Sequence, residues 1–136
     1  MANMESINRN VTIAAHSIND VNILSRAIFG ITKEMYWWKE DENGELLPRN
    51  DGELIALMHS ELSEALEGIR KDKMDDHLPH RKAVEVELAD AVIRILDYAG
   101  AHNLDIGGAI AEKLAYNVKR ADHKIENRNK PGGKKF

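Results

Sequence analysis

HSELSEALEGIRK, residues 59–71, sets Glu61 and Glu64 one helical turn apart beside a run of apolar side chains. At about 100° per residue, Leu54, Ile55, Met58, Leu62, Ala65, Leu66 and Ile69 share about 120° of arc. The stretch is therefore predicted to be a helix with that stripe toward a core. Glu61 falls just beside the stripe and Glu64 about 60° farther round on the same flank, so both carboxylates can converge on one ion. The period is helical rather than alternating, which points to an α fold.

The next periodic stretch, RKAVEVELADAVIRILDYAGA, residues 81–101, sharpens the picture. Val84, Val86, Leu88, Val92, Ile93, Ile95, Leu96 and Tyr98 cover most of its circumference, so a largely buried helix is expected. Its polar gap, about 80° wide, holds Glu87, Asp90, Arg94 and Asp97. Ionised carboxylates beside a core are costly unless they are paired or bind a metal. Two acidic flanks facing one another would cage Mg²⁺, or Mn²⁺ in its place, ions that take oxygen ligands and keep several waters. The same acids can instead pair with Arg70, Lys71, Arg81, Lys82 or Arg94, as charged helix faces commonly do.

Proline occurs only at 48, 79 and 131, β-branched runs are few, and the expected class is all-α throughout. A first helix is predicted over about residues 11–29, ending near Gly30. An irregular aromatic segment, KEMYWWKEDENGELLPRND, follows it. A second helix starts at the capping candidates Asn50 and Asp51 and runs to about Lys71. After KDKMDDHL, a third carries Pro79 in its first turn and reaches about Ala101. A fourth, capped by Asp105, runs to about Glu126 and gives way to a basic tail at about 128–136.

A chain of 136 residues with 43% hydrophobic content is one domain's worth of sequence and enough for a core. The absence of cysteine excludes disulfides and thiolate metal sites. No run of 18 apolar residues and no signal-like N-terminus is present, so a cytoplasmic protein with no membrane association is expected. The net charge of −4 is uneven: residues 119–136 hold seven Lys or Arg against two Asp or Glu. That end carries only one aromatic, Phe136, and the body is acidic, so no stable nucleic-acid partner is expected. A di-iron carboxylate bundle wants ExxH spacings, and none occurs.

ELSE (Glu61, Glu64) followed on the next helix by ELAD (Glu87, Asp90) resembles the MazG-like members of the all-α NTP pyrophosphatase superfamily. The likeness continues through KLAYNVKR, similar to the segment with which that family supplies Lys113, Asn117 and Arg120 to phosphates, and into the closing KPGGKKF of phage and bacterial members. It spans residue 51 to the end. The resemblance implies a four-helix core in a homodimer or homotetramer and hydrolysis of nucleoside triphosphates to the monophosphate and pyrophosphate. It also implies two or more Mg²⁺ ions, which Mn²⁺ can replace, held by Glu61, Glu64, Glu87 and Asp90 as the catalytic and metal-binding residues. Clustered carboxylates suit such chemistry, which needs charge neutralisation and an activated water more than covalent catalysis. Lys113, Asn117 and Arg120 fall on one helix face, as a phosphate-binding row requires.

One position departs from the pattern. Some members carry a further Glu directly before the first motif Glu, and here Ser60 stands there. Glu61 or Glu64 is then left to orient the water, with His59 an outside candidate. Trp37 and Trp38 are the base-binding candidates: adjacent in sequence, one can pack inward while the other stacks on a nucleobase. Purine deoxynucleotides such as dGTP and dATP are the expected substrates. The alternative is a metal-binding or interaction bundle without catalysis.

Overall fold

The computed structural model describes residues 3–120 and 125–132, which form six helices. These are α1 (Met4–His16), α2 (Ile18–Glu34), α3 (Asp51–Arg70), α4 (Ala83–Ala101), α5 (Ile106–Lys119) and the single turn α6 (Ile125–Arg128). Among the described residues there is no strand, only isolated bridges at Glu40–Leu46 and Met74–Lys82. No helix is long and apolar enough to cross a membrane among those residues. Positions 121–124 of the expected fourth helix and 133–136 of the expected basic tail lie outside the described residues.

The chain forms two compact units, one built from residues up to Ile23 and from Asp105 onward, the other from Leu24–Leu104. In the first, α1 packs on α5. Asn22 binds both ends of the turn that starts α5: its Nδ2 donates to Asp105 Oδ1 at 2.7 Å, and its Oδ1 accepts from the Gly107 amide at 2.9 Å. Asp105 caps α5 as its sequence position implied, accepting from the Gly108 amide. Those two hydrogen bonds, Asn22 first, hold the Asp105 carboxyl below its ordinary range. A β-carbon on Gly107 would stand 2.3 Å from the Ile18 carbonyl oxygen, so only glycine permits this approach.

The second unit is organised around α4. Small residues set the α3–α4 seam, where Leu54, Glu61, Ala65 and Gly68 of α3 and Ala83 and Ala91 of α4 are buried. A β-carbon on Gly68 would meet the Ala83 Cβ and the Val84 amide nitrogen at 3.1 Å. On another side of α4, Gly100 lies so close to α2 that a β-carbon there would stand 2.7 Å from Phe29 Cβ and 2.8 Å from the Ser25 carbonyl oxygen. Ser25, buried, donates its hydroxyl to the Leu96 carbonyl at 2.6 Å.

Several boundaries differ from those expected. The first helical region begins at Met4, where Asn3 caps it, and breaks at Ser17. Ser17 turns its amide and hydroxyl back onto the last turn of α1, the competition that makes serine a weak helix interior. The following helix passes straight through Gly30 to Glu34. α4 starts four residues after Pro79, because Asp75 closes the connecting segment on itself. Its carboxylate accepts from the His77 and Leu78 amides, and its own amide donates to the Arg81 carbonyl.

The expectation that residues 81–101 are buried nearly all round is also corrected. Leu88, Val92 and Ile95 are exposed on α4, and Ile55, Leu62, Leu66 and Ile69 are exposed on α3. Of the apolar stripe of α3 only Leu54 and Ala65 are buried with Glu61 and Gly68, while Ile55, Leu62, Leu66 and Ile69 are left outside the seam. Small side chains let two helix backbones approach closely, while among the described residues the larger ones at the flank stay exposed.

Candidate metal centre

Glu61, Glu87 and Asp90 meet at the α3–α4 seam, where one carboxylate oxygen of each lies within 4.8 Å of the others. Helix geometry places them: Glu61 sits in the buried row of α3, and Glu87 and Asp90, one turn apart on α4, are half-buried facing it. Glu61 is only 8% exposed, so its charge is held where water is scarce.

The electrostatics record the crowding. Burial first, then the charges of Glu64, Glu61, Asp90 and Asp75, hold the Glu87 carboxyl above its ordinary range. Asp90 is raised by burial and then by Glu61 and Asp75, while the Arg94 charge pulls it back. Like charges at close quarters disfavour joint ionisation, so the group as it stands is short of positive charge. Three hard oxygen donors converging in this way fit a Mg²⁺ or Mn²⁺ ion that completes its shell with water.

Glu64, the fourth acid of the two pairs, is exposed and stands outside this trio. Its charge is nevertheless second only to burial in raising Glu87, which places it at the rim. Asp75, buried in the loop before α4, adds to the negative field at both Glu87 and Asp90. Nothing in KDKMDDHL distinguishes Asp75 from Asp76, since the distinction is made by the loop's closure.

One cation already stands in the cluster. Arg94, one turn past Asp90, donates from Nε to Glu61 Oε1 at 2.5 Å and lies over the Trp37 ring, 5.3 Å from its centroid. Trp37, half-buried, borders a recess walled also by Met58, Arg94, Asp97 and Tyr98, with about 10 Å³ free, room for a water-sized guest. Trp38 is 4% exposed. Its indole N–H donates to both oxygens of Asp97 at 2.9 and 3.0 Å, and its ring meets Phe29 and His102 edge to face. Arg49 stacks on it from 5.2 Å. Trp38 is thus a core residue, and of the two tryptophans Trp37 is the one bordering the recess.

Asp97, expected on the acidic stripe of α4, is 3% exposed and enclosed by neutral donors, the Thr32 hydroxyl and the Trp38 indole. It anchors α4 to α2 and to the segment after it. Lys113, Asn117 and Arg120 belong to the other compact unit, on α5 and its C-cap. Lys113 is exposed over the Tyr116 ring, 4.9 Å from its centroid. Asn117 Oδ1 is buried without a hydrogen-bond partner, the one such side-chain atom among the described residues. His59, the outside candidate, is exposed on α3. No protein-family model, curated protein or solved structure matches this chain.

Proposed function

We propose that the protein is a Mg²⁺-dependent nucleoside triphosphate pyrophosphohydrolase, releasing the monophosphate and pyrophosphate. The observation that carries the reading is the convergence of Glu61, Glu87 and Asp90 on one point of the α3–α4 seam. The resemblance of ELSE and ELAD to the MazG-like pattern supplies the reaction. A divalent ion held there would neutralise the polyphosphate and activate a water. Glu61, Glu87 and Asp90 would hold it, and Mn²⁺ fits the same donors.

Within this reading each residue has a separate task. Glu64, exposed beside Glu87, orients the attacking water from the rim. Trp37 offers the flat face for a nucleobase, and Trp38 supports it from the core. Lys113, Asn117 and Arg120 are assigned to the phosphates by the resemblance. The exposed apolar rows of α3 and α4 support assembly into a homodimer or homotetramer, since so many uncovered large side chains on one unit favour burial against a second copy.

The test is product analysis by ion-exchange chromatography after incubation with each standard NTP and dNTP, with and without Mg²⁺. Monophosphate and pyrophosphate formed only with metal is the expected result, with dGTP and dATP foremost. Diphosphate and phosphate would place the cut at the terminal bond and remove the assignment. One observation favours a second reading, an interaction bundle without catalysis: Arg94 already neutralises Glu61, as a purely structural ion pair would. That reading predicts no product from any substrate.

A further inference from the structure

Arg94 occupies two surfaces at once. Its Nε holds Glu61 Oε1 at 2.5 Å, and its guanidinium covers the Trp37 ring at 5.3 Å. The Arg94 side chain is 27% exposed and that of Glu61 10%, so the pair is held in a partly dry setting where a charged hydrogen bond is strong. The same side chain walls the recess beside Trp37 and leaves only about 10 Å³ of it free. One residue therefore claims a carboxylate of the acid trio and the aromatic face next to it.

Resting on the metal-centre reading, we infer that Arg94 is a resident counter-cation that a divalent ion displaces, and that its departure opens the Trp37 face and frees a guanidinium for a polyphosphate. Without metal, Arg94 already stands as a counter-cation against Glu61, one of the three converging carboxylates. A doubly charged ion ligated by Glu61 competes for the same oxygen and repels the guanidinium at short range. The planar fork that leaves Glu61 matches a phosphate as well as it matched a carboxylate. Clearing Trp37 enlarges the filled recess in the same movement. Metal and nucleotide are then linked: binding of the first prepares the surface that the second uses, and the linkage is reciprocal. The ligand class this serves is a flat base joined to a polyphosphate, with Trp37 taking the base and Arg94 the anion.

The experiment is a Mn²⁺ titration of the whole protein without nucleotide, followed by the electron paramagnetic resonance of free Mn²⁺ and by tryptophan emission. Wild type is expected to bind Mn²⁺ with a saturable change in emission that is absent from Trp37→Phe. Arg94→Met, which keeps an unbranched apolar stem and loses the guanidinium and its charge, is expected to bind Mn²⁺ about tenfold or more tightly, with emission that no longer responds. Arg94→Lys keeps a charge without the planar fork and guards against loss of folding in the first variant. It is expected to stay within about threefold of wild-type affinity with a weakened emission response. Equal affinity and an unchanged emission response in Arg94→Met would overturn the inference and make Arg94 a fixed structural partner, leaving the metal centre standing. No Mn²⁺ binding by wild type or any variant would instead overturn the metal centre itself.

Discussion

Glu87 feels the charges of four neighbouring carboxylates, and its behaviour with pH follows. Its pKa and that of Asp90 are raised in the folded state, by burial first and neighbouring carboxylates next. A raised carboxylate is protonated when folded at a pH where the unfolded chain has already ionised, so the folded state binds more protons there. Stability is then fully present below the ordinary carboxylate range and falls as pH rises through the raised values. Thermal melts in EDTA across that window should show a declining midpoint toward neutral pH. Glu87→Gln should flatten the decline and raise the metal-free midpoint, and Mg²⁺ should do the same for wild type. For turnover the direction reverses: Glu61→Gln, Glu64→Gln, Glu87→Gln and Asp90→Asn should each lose about 100-fold or more activity with the helical signal retained. Wild-type turnover in all four would remove the site from this seam. Asp97 makes a separate prediction, because Asp97→Ala strands the Trp38 indole N–H in the interior and leaves the Thr32 hydroxyl with the Phe29 carbonyl alone. Urea unfolding should register a loss of about 1–3 kcal/mol.

At the scale of the helices, two glycines decide how closely α4 can be approached. A methyl at Gly100 would collide with Phe29 Cβ and with the Ser25 backbone oxygen, and neither is the free end of a flexible chain. Gly100→Ala should therefore force α2 and α4 apart and cost about 1–3 kcal/mol. At Gly68 the nearest atoms stand at 3.1 Å, a tight fit that a small shift relieves, so Gly68→Ala should cost less. Melts of the two variants would check the order, and the reverse order would mean that the α3–α4 seam is the less yielding contact. The seam's small residues also explain the acids' position. Where alanine and glycine bring two backbones together, a glutamate at the same row is carried inward with them.

For the molecule as a whole, the uncovered apolar rows set the expectation of assembly. Leu66 is 58% and Ile69 62% exposed on α3, with Leu88 and Val92 similarly open on α4. Sedimentation at micromolar concentration should give a dimer or tetramer, and Leu66→Glu combined with Ile69→Glu should shift it to the monomer. A monomeric wild type would show that these rows stay in water. Each unit is separately knit, the first by the Asn22 clamp on Asp105 and the second by Asp97 and the small-residue seam.

Local rules were enough for the helical class, for Asn50 and Asp105 as caps and for the two acid pairs on successive helices. They follow from periodicity and capping, which act over a few residues and can be read along the chain. The direction in which α3 faces was not legible, because summed hydrophobicity points to Leu62, Leu66 and Ile69 while close packing chose Ala65 and Gly68. Asp75 and Asp97 were likewise indistinct from other acids until loop closure buried one and α2 with Trp38 enclosed the other. The pairing of Arg94 with Glu61, 33 positions earlier, depends on the same seam. Sequence by itself determined which side chains are acidic and at what helical spacing they recur. Only tertiary structure decided which of them share a dry space, because burial and like-charge proximity depend on how helices pack, which local periodicity does not encode.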